Sequence, residues 1–260
     1  MGVRPFPTTL KAKLRSSTTV SILATSKPPK NWDCRISFRY EILRAMKTPS
    51  LEAQGPRKKS INVFCGARIP RKSQLQNDVD ELARICVAKN YRLVYGGGDR
   101  GVMGWLQKSW QREQGESLGV LPDFLRHRER INLKGCNVTD LSGCHVTGLE
   151  GRQLADVEKI PSGEVRLVSS LSVRKQIMAD ESDLFLILPG GLGTLDEFSE
   201  VITWRQLGLH EKPIYLYNCD GFFTPLLDWL QRAKEWGFVD DESLAHFQTI
   251  QSISELTAIL

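Results

Sequence analysis

The residues of this chain best suited to chemistry lie in one stretch, LFLILPGGLGTLDE at 184–197. Pro189, Gly190, Gly191 and Gly193 follow an apolar run and make a tight turn whose amide N–H groups stay uncovered. Such amides, with the positive end of a following helix dipole, form a site for an anion, phosphate above all. Thr194 adds a hydroxyl. The structural alternative is a plain strand–helix connection with glycines at positive φ. Glu197 also carries two readings. In Thr194-Leu195-Asp196-Glu197 it completes a T-x-x-E capping box and bonds back to the cap amide. From the same position its carboxylate can point into a ligand cleft.

A second close-approach turn, Tyr95-Gly96-Gly97-Gly98, leads into Arg100-Gly101-Val102-Met103-Gly104. It lacks the G-x-G-x-x-G spacing of a dinucleotide fingerprint, which disfavours NAD. Together the two turns suit a mononucleotide held between them. Arg174 and Lys175 open a helix after EVRLVSS (164–170). An adjacent Arg–Lys pair is often only solvated charge, but placed after a strand beside the glycine turns it suits phosphate or leaving-group contact.

The elements that must position these residues are legible from periodicity. Short apolar runs at 61–66, 91–98, 117–122, 164–170, 184–189 and 213–218 read as strands. Helical patterns fall between them, at 75–89, 102–113, 172–181, 195–207 and 222–236, with a last short strand and helix near 247–259. Near-continuous apolar strands alternating with helices predict a doubly wound, Rossmann-like, mostly parallel α/β sheet covered on both faces. Ligands of such sheets bind beyond the carboxyl ends of the strands. The glycine turns fall at those ends.

Charge divides the chain. Residues 1–60 hold 13 Lys/Arg and three Asp/Glu, leaving 22 basic and 27 acidic residues for 61–260, whereas the whole carries +5. The mildly acidic remainder argues against a nucleic-acid groove there. Residues 1–59, rich in Ser, Thr and Pro, read as a disordered basic extension; an organellar transit peptide is the alternative reading. The domain proper is 60–260, with an aperiodic insertion at about 126–162. Six scattered cysteines suggest no disulfide framework, so a reducing, cytoplasmic setting is favoured. Cys136, Cys144 and His145 fit no common zinc spacing, and no apolar run is long enough for a membrane span.

The ordered motifs resemble those of the Lonely Guy family, the cytokinin riboside 5′-monophosphate phosphoribohydrolases, many of them once labelled lysine decarboxylases. PGGLGTLDE at 189–197 is similar to the family's PGGxGTxxE signature, YGGGDRGVMG at 95–104 to its second turn, and VFCGA at 63–67 to its first. Arg174-Lys175 is similar to its RK pair, and 203–223 to its segment after the signature. The resemblance covers about 61–125 and 163–260. It implies a doubly wound homodimer that cleaves a nucleoside 5′-monophosphate to free base and ribose 5-phosphate, without metal or other cofactor. It implies Arg174 and Glu197 as catalytic residues, with Lys175, Pro189, Gly190, Gly191, Gly193, Thr194, Gly96, Gly97 and Gly98 binding substrate. No residue context supports a pyridoxal-phosphate Schiff base. Leu171 and Ser172 replace the family's usual Met-His pair, and Ala67 its usual Ser. The Arg174–Glu197 pair argues for the enzyme; the missing His and the insertion are the arguments for the alternative, a non-catalytic nucleotide sensor or carrier on the same fold.

Overall fold

A computed structural model describes residues 58–71, 74–129, 137–141 and 163–260, together with the backbone of 10–13 and 19–22. The chain divides into two units, Met1–Gly55 and Pro56–Leu260. In the first, β1 (Leu10–Lys13) pairs antiparallel with β2 (Thr19–Ile22). The rest of the expected disordered extension lies outside the described residues.

The second unit alternates strand and helix. In chain order these are β3 (Ser60–Phe64), α1 (Gln74–Ala88), β4 (Arg92–Tyr95), α2 (Gly101–Arg112), β5 (Ser117–Pro122), α3 (Asp123–Glu129) and β6 (Asn137–Asp140). They continue with β7 (Gly163–Val168), α4 (Leu171–Asp180), β8 (Leu184–Ile187), α5 (Leu192–Gln206), β9 (Ile214–Tyr217), α6 (Thr224–Glu235), α7 (Asp241–Leu244), β10 (Gln248–Ile250) and α8 (Leu256–Ile259). Eight strands form one sheet in the order β10-β9-β8-β3-β4-β5-β7-β6. Every neighbouring pair is parallel. This is the doubly wound, Rossmann-like α/β architecture expected from the alternating pattern.

Successive strand side chains point to opposite faces, which builds two cores from one sheet. Ile61, Val63, Leu93, Tyr95, Leu184, Leu186 and Tyr215 face α1 and α2, where Leu82, Cys86, Leu106 and Trp110 complete one cluster. Phe64, Val94, Leu118, Phe185, Ile187 and Leu216 face the other way, toward Met178 of α4 and Phe198 and Val201 of α5. Both faces are covered, so most strand positions are apolar rather than alternating with polar ones.

Within the expected insertion, the described residues are the end of α3 and the edge strand β6 with Leu141 after it; β6 pairs with β7. The remaining insertion residues, Cys136, Cys144 and His145 among them, lie outside the described residues. Among the described residues, no helix is long and apolar enough to cross a membrane.

Candidate active site

The carboxyl ends of β3, β4, β5 and β8 open into a cavity of about 650 Å³. Its floor is the two glycine turns. Gly96 and Gly98 line it from β4, and Pro189, Gly190, Gly191, Gly193 and Thr194 line it after β8. The turns are locked to the first loop: the Gly66 amide donates to the Pro189 carbonyl at 3.3 Å, and the Val102 amide to the Gly66 carbonyl at 3.0 Å.

At two glycines of these turns a side chain would displace a neighbour. A Cβ on Gly96 would lie 1.8 Å from Arg174 Nη2. A Cβ on Gly190 would lie 2.7 Å from the Thr194 Cβ and 2.9 Å from the Gly66 backbone nitrogen. By contrast, Cβ atoms on Gly191 and Gly193 would meet nothing within 4 Å. Their lack of side chains leaves open space above the turn, as a backbone anion site requires.

The turn ends in α5, and here the capping-box reading is corrected. The N-cap is Gly191, in extended conformation at φ −101° and ψ −153°, and the helix begins at Leu192. Thr194 is thus the third helical residue rather than the cap, and Glu197 is the sixth. At that depth Glu197 is past the uncapped first-turn amides. Its side chain instead turns into the cavity wall, where Glu197 is 8% exposed.

Arg174 approaches from α4. Ser170 caps this helix by accepting the Val173 amide at 3.2 Å, which fixes Arg174 one turn in. Arg174 Nη2 lies 3.4 Å from Glu197 Oε1, both side chains being nearly buried. The two predicted catalytic residues, 23 positions apart in sequence, therefore meet in the cavity. Burial raises the Glu197 carboxyl to about 7, with Arg174 opposing the rise. Arg174 Nε makes no hydrogen bond among the described residues.

Lys175 is placed differently. Its ammonium sits 2.9 Å from Asp196 and 2.9 Å from Glu200 on α5, outside the cavity lining. Burial works against its charge, but those two partners outweigh it and hold its pKa above the usual value. Gly97, at φ +74°, supports the second turn from beneath and likewise does not line the cavity.

The remaining lining is largely apolar: Val102, Met103, Leu121, Leu125, Ile69 and Phe222. These residues were not singled out by spacing, because an apolar side chain at a strand end carries the same pattern as a core residue. Cys65, at the end of β3, also lines the cavity; burial pushes its thiol well up, Glu197 adds to the rise, and Arg174 opposes it. Of the departures noted above, Ala67 lines the cavity, whereas Ser172 is exposed and does not. Among the described residues no group of three or more His, Cys, Asp or Glu is placed to hold a metal ion.

A cavity with one end of open amides, one buried Arg–Glu pair and apolar walls can take an anionic head, a polar centre and a flat apolar group. Residues 103–260, more than half of the chain, match the family model described as possible lysine decarboxylase. A probable cytokinin riboside 5′-monophosphate phosphoribohydrolase of Oryza sativa subsp. japonica is 39% identical over 69% of this chain. The chain spans only 62% of that relative's length. Another, of Arabidopsis thaliana, is 37% identical over 74% of this chain and 83% of its own length. Among solved structures, that of the structural-genomics target TM1055 superposes with a TM-score of 0.51 at 19% identity, covering 77% of this chain and 97% of that one. At that identity the likeness speaks to fold alone.

Proposed function

The chain belongs to the Lonely Guy family, and on that premise we propose that it is a phosphoribohydrolase that cleaves the N-glycosidic bond of nucleoside 5′-monophosphates, cytokinin riboside 5′-monophosphates foremost. The observation that carries this reading is the buried Arg174–Glu197 pair, 3.4 Å apart at the mouth of an open glycine turn.

In this reading the amides of Gly190, Gly191 and Gly193, with the Thr194 hydroxyl, hold the 5′-phosphate at the positive end of α5. Gly96 and Gly98 let the ribose pass close to the backbone. Binding energy at the phosphate then fixes C1′ against Glu197, remote from the phosphate itself. As the glycosidic bond lengthens, positive charge develops on the sugar ring. The Glu197 carboxylate stabilises that charge and activates the attacking water. Arg174 steadies negative charge as the base departs and keeps Glu197 ionisable by opposing its desolvation. The apolar wall of Met103, Leu121, Leu125 and Phe222 receives the base. Lys175 acts at one remove: it ties α4 to α5 through Asp196 and Glu200, and so sets the spacing of Arg174 and Glu197.

The lysine decarboxylase description finds no support in these residues. Among the described residues no lysine lines the cavity, and the Lys175 amine is committed to two carboxylates. The same reading takes the chain to be a homodimer, supported by exposed apolar side chains such as Leu207, Trp229, Trp236 and Phe238.

Glu197→Gln tests the reading. It should cut turnover of AMP at least a hundredfold, the usual scale for a lost acid–base group, while AMP still binds. Turnover near wild type by this variant would sink the assignment. Wild-type protein that binds nucleotide and releases no base would favour a sensor or carrier instead.

A further inference from the structure

The charged side chains lining the cavity among the described residues are Arg174, Glu197 and one residue the mechanism above does not use, Arg68. Arg174 is engaged by Glu197. Lys175, the nearby lysine on α4, is held between Asp196 and Glu200. Arg68 is exposed, and among the described residues its side chain makes no ion pair or hydrogen bond. It is therefore the cation of the lining not already committed to a carboxylate.

Its backbone is nonetheless fixed. The loop that carries it is tied to the glycine turn after β8 through the Gly66 amide and the Pro189 carbonyl. A Cβ on Gly66 would stand 3.3 Å from the Gly190 Cα. From the other side, a Cβ on Gly101 would fall 2.5 Å from the Arg68 nitrogen, so the start of α2 is packed directly beneath the loop. Arg68 thus springs from a loop clamped against Pro189 and Gly190 and lines the same cavity as Gly191 and Gly193, with only its own side chain left to order.

Electrostatics gives that position a use. The amides of the turn offer partial charges, equivalent at a helix end to about half an elementary charge. A phosphate monoester is close to a dianion at neutral pH. Once Glu197 is ionised, it offsets the charge of Arg174. The cavity then needs a further full positive charge on the phosphate side, and the planar guanidinium fork suits two phosphate oxygens at once.

We propose that Arg68 is a specificity residue of this cavity: its guanidinium closes on the dianionic phosphate of the bound ligand, opposite the glycine-turn amides, and selects phosphorylated over unphosphorylated nucleosides. The proposal rests on the reading of the cavity as a mononucleotide site. Arg68 does not touch the reacting bond in this arrangement. Its removal weakens binding of everything that carries the phosphate and leaves the bond-breaking step to Arg174 and Glu197.

The experiment compares wild type, Arg68→Ala, Arg68→Lys and Glu197→Gln, with AMP as substrate, adenosine as the unphosphorylated control and ribose 5-phosphate as the binding probe in calorimetry. Arg68→Ala should raise KM for AMP about tenfold or more, the scale of a lost charge-assisted hydrogen bond. Its kcat should fall far less, and ribose 5-phosphate binding should weaken in parallel. Lysine, a point charge without the fork, should restore part of the loss. Any action on adenosine should be unchanged. Unaltered KM for AMP together with unaltered ribose 5-phosphate binding in Arg68→Ala would overturn the proposal. So would an equal loss toward AMP and adenosine, which is the mark of a merely structural role. Loss of turnover in Glu197→Gln with Arg68→Ala unaffected refutes Arg68 alone. Absence of turnover by wild type refutes the catalytic reading, and the ribose 5-phosphate measurement still decides for or against Arg68.

Discussion

Burial lifts the Glu197 carboxyl from 4.5 to about 7, while Arg174 pulls against the rise. In the proposed mechanism the carboxylate is the working form, so kcat/KM should climb with pH along an acid limb near 7, which reports the free enzyme. Arg174→Gln removes the opposing charge, so its residual activity should show that limb displaced to higher pH. A limb that stays in place would mean Glu197 is not the titrating group. The same shift has a cost in stability. A carboxyl whose folded pKa exceeds its unfolded value binds more protons when folded, so stability is full below about 4.5 and is lost as pH rises through 7. The advantage of Glu197→Gln over wild type in melting temperature should therefore grow between pH 5 and pH 8. A difference that shrinks over that range would contradict the burial argument. Of the residue positions, those of the glycine turns and the meeting of Arg174 with Glu197 were legible from spacing and resemblance. The apolar wall and the commitment of Lys175 to Asp196 and Glu200 were not, because both depend on which helix packs beside which.

At the scale of the element, the strand–turn–helix from β8 to α5 carries the site, and its start was misplaced by the T-x-x-E pattern. Thr194 and Gly191 are both acceptable N-cap residues, and sequence alone does not rank them. The extended backbone at Gly191 decides, because the chain enters helical geometry directly after it. Three more residues in the helix rotate Glu197 from a capping position to the buried cavity face. The turn after β4 offers a separable test. Alanine at Gly96 meets the flexible end of Arg174, with a contact of 1.8 Å, and not backbone. Gly96→Ala should displace the guanidinium and lower kcat at least tenfold, with a melting temperature within a few degrees of wild type. Gly190→Ala meets the Gly66 backbone as well as Thr194. It should destabilise the fold by about 1–3 kcal/mol, the usual range for overpacking. Equal melting temperatures for the two variants would contradict this account of the turns.

At the scale of the whole sheet, the cavity and a network of ion pairs sit at opposite ends. The cavity lies beyond the carboxyl ends of the strands. At the other end Glu181 accepts Arg92 at 2.5 Å and Arg166 at 2.7 Å, and Arg166 also reaches Glu164 at 2.7 Å. Burial works to raise the Glu181 pKa, but the two arginines outweigh it and hold it below its usual value. This contribution is present above the unfolded carboxylate range and fades as pH falls through the lowered folded value. Glu181→Gln should cost about 2 kcal/mol at pH 7, a fraction of the cost of breaking a fully buried pair, and leave kcat unchanged. A loss of activity with unaltered stability would reverse the division proposed here. The doubly wound, parallel character of the sheet followed from the alternation of apolar runs and helical patterns, whereas the order of its strands was not legible, because it depends on which crossover each helix makes. The edge strand Asn137–Asp140 escaped that reading because a short edge strand buries little and leaves a weak apolar signature. The most direct test of the central claim is product identity. Wild-type protein incubated with AMP and with isopentenyladenosine monophosphate should release free base and ribose 5-phosphate in equal amounts. Release of inorganic phosphate and nucleoside, or tight binding with no product, would contradict it.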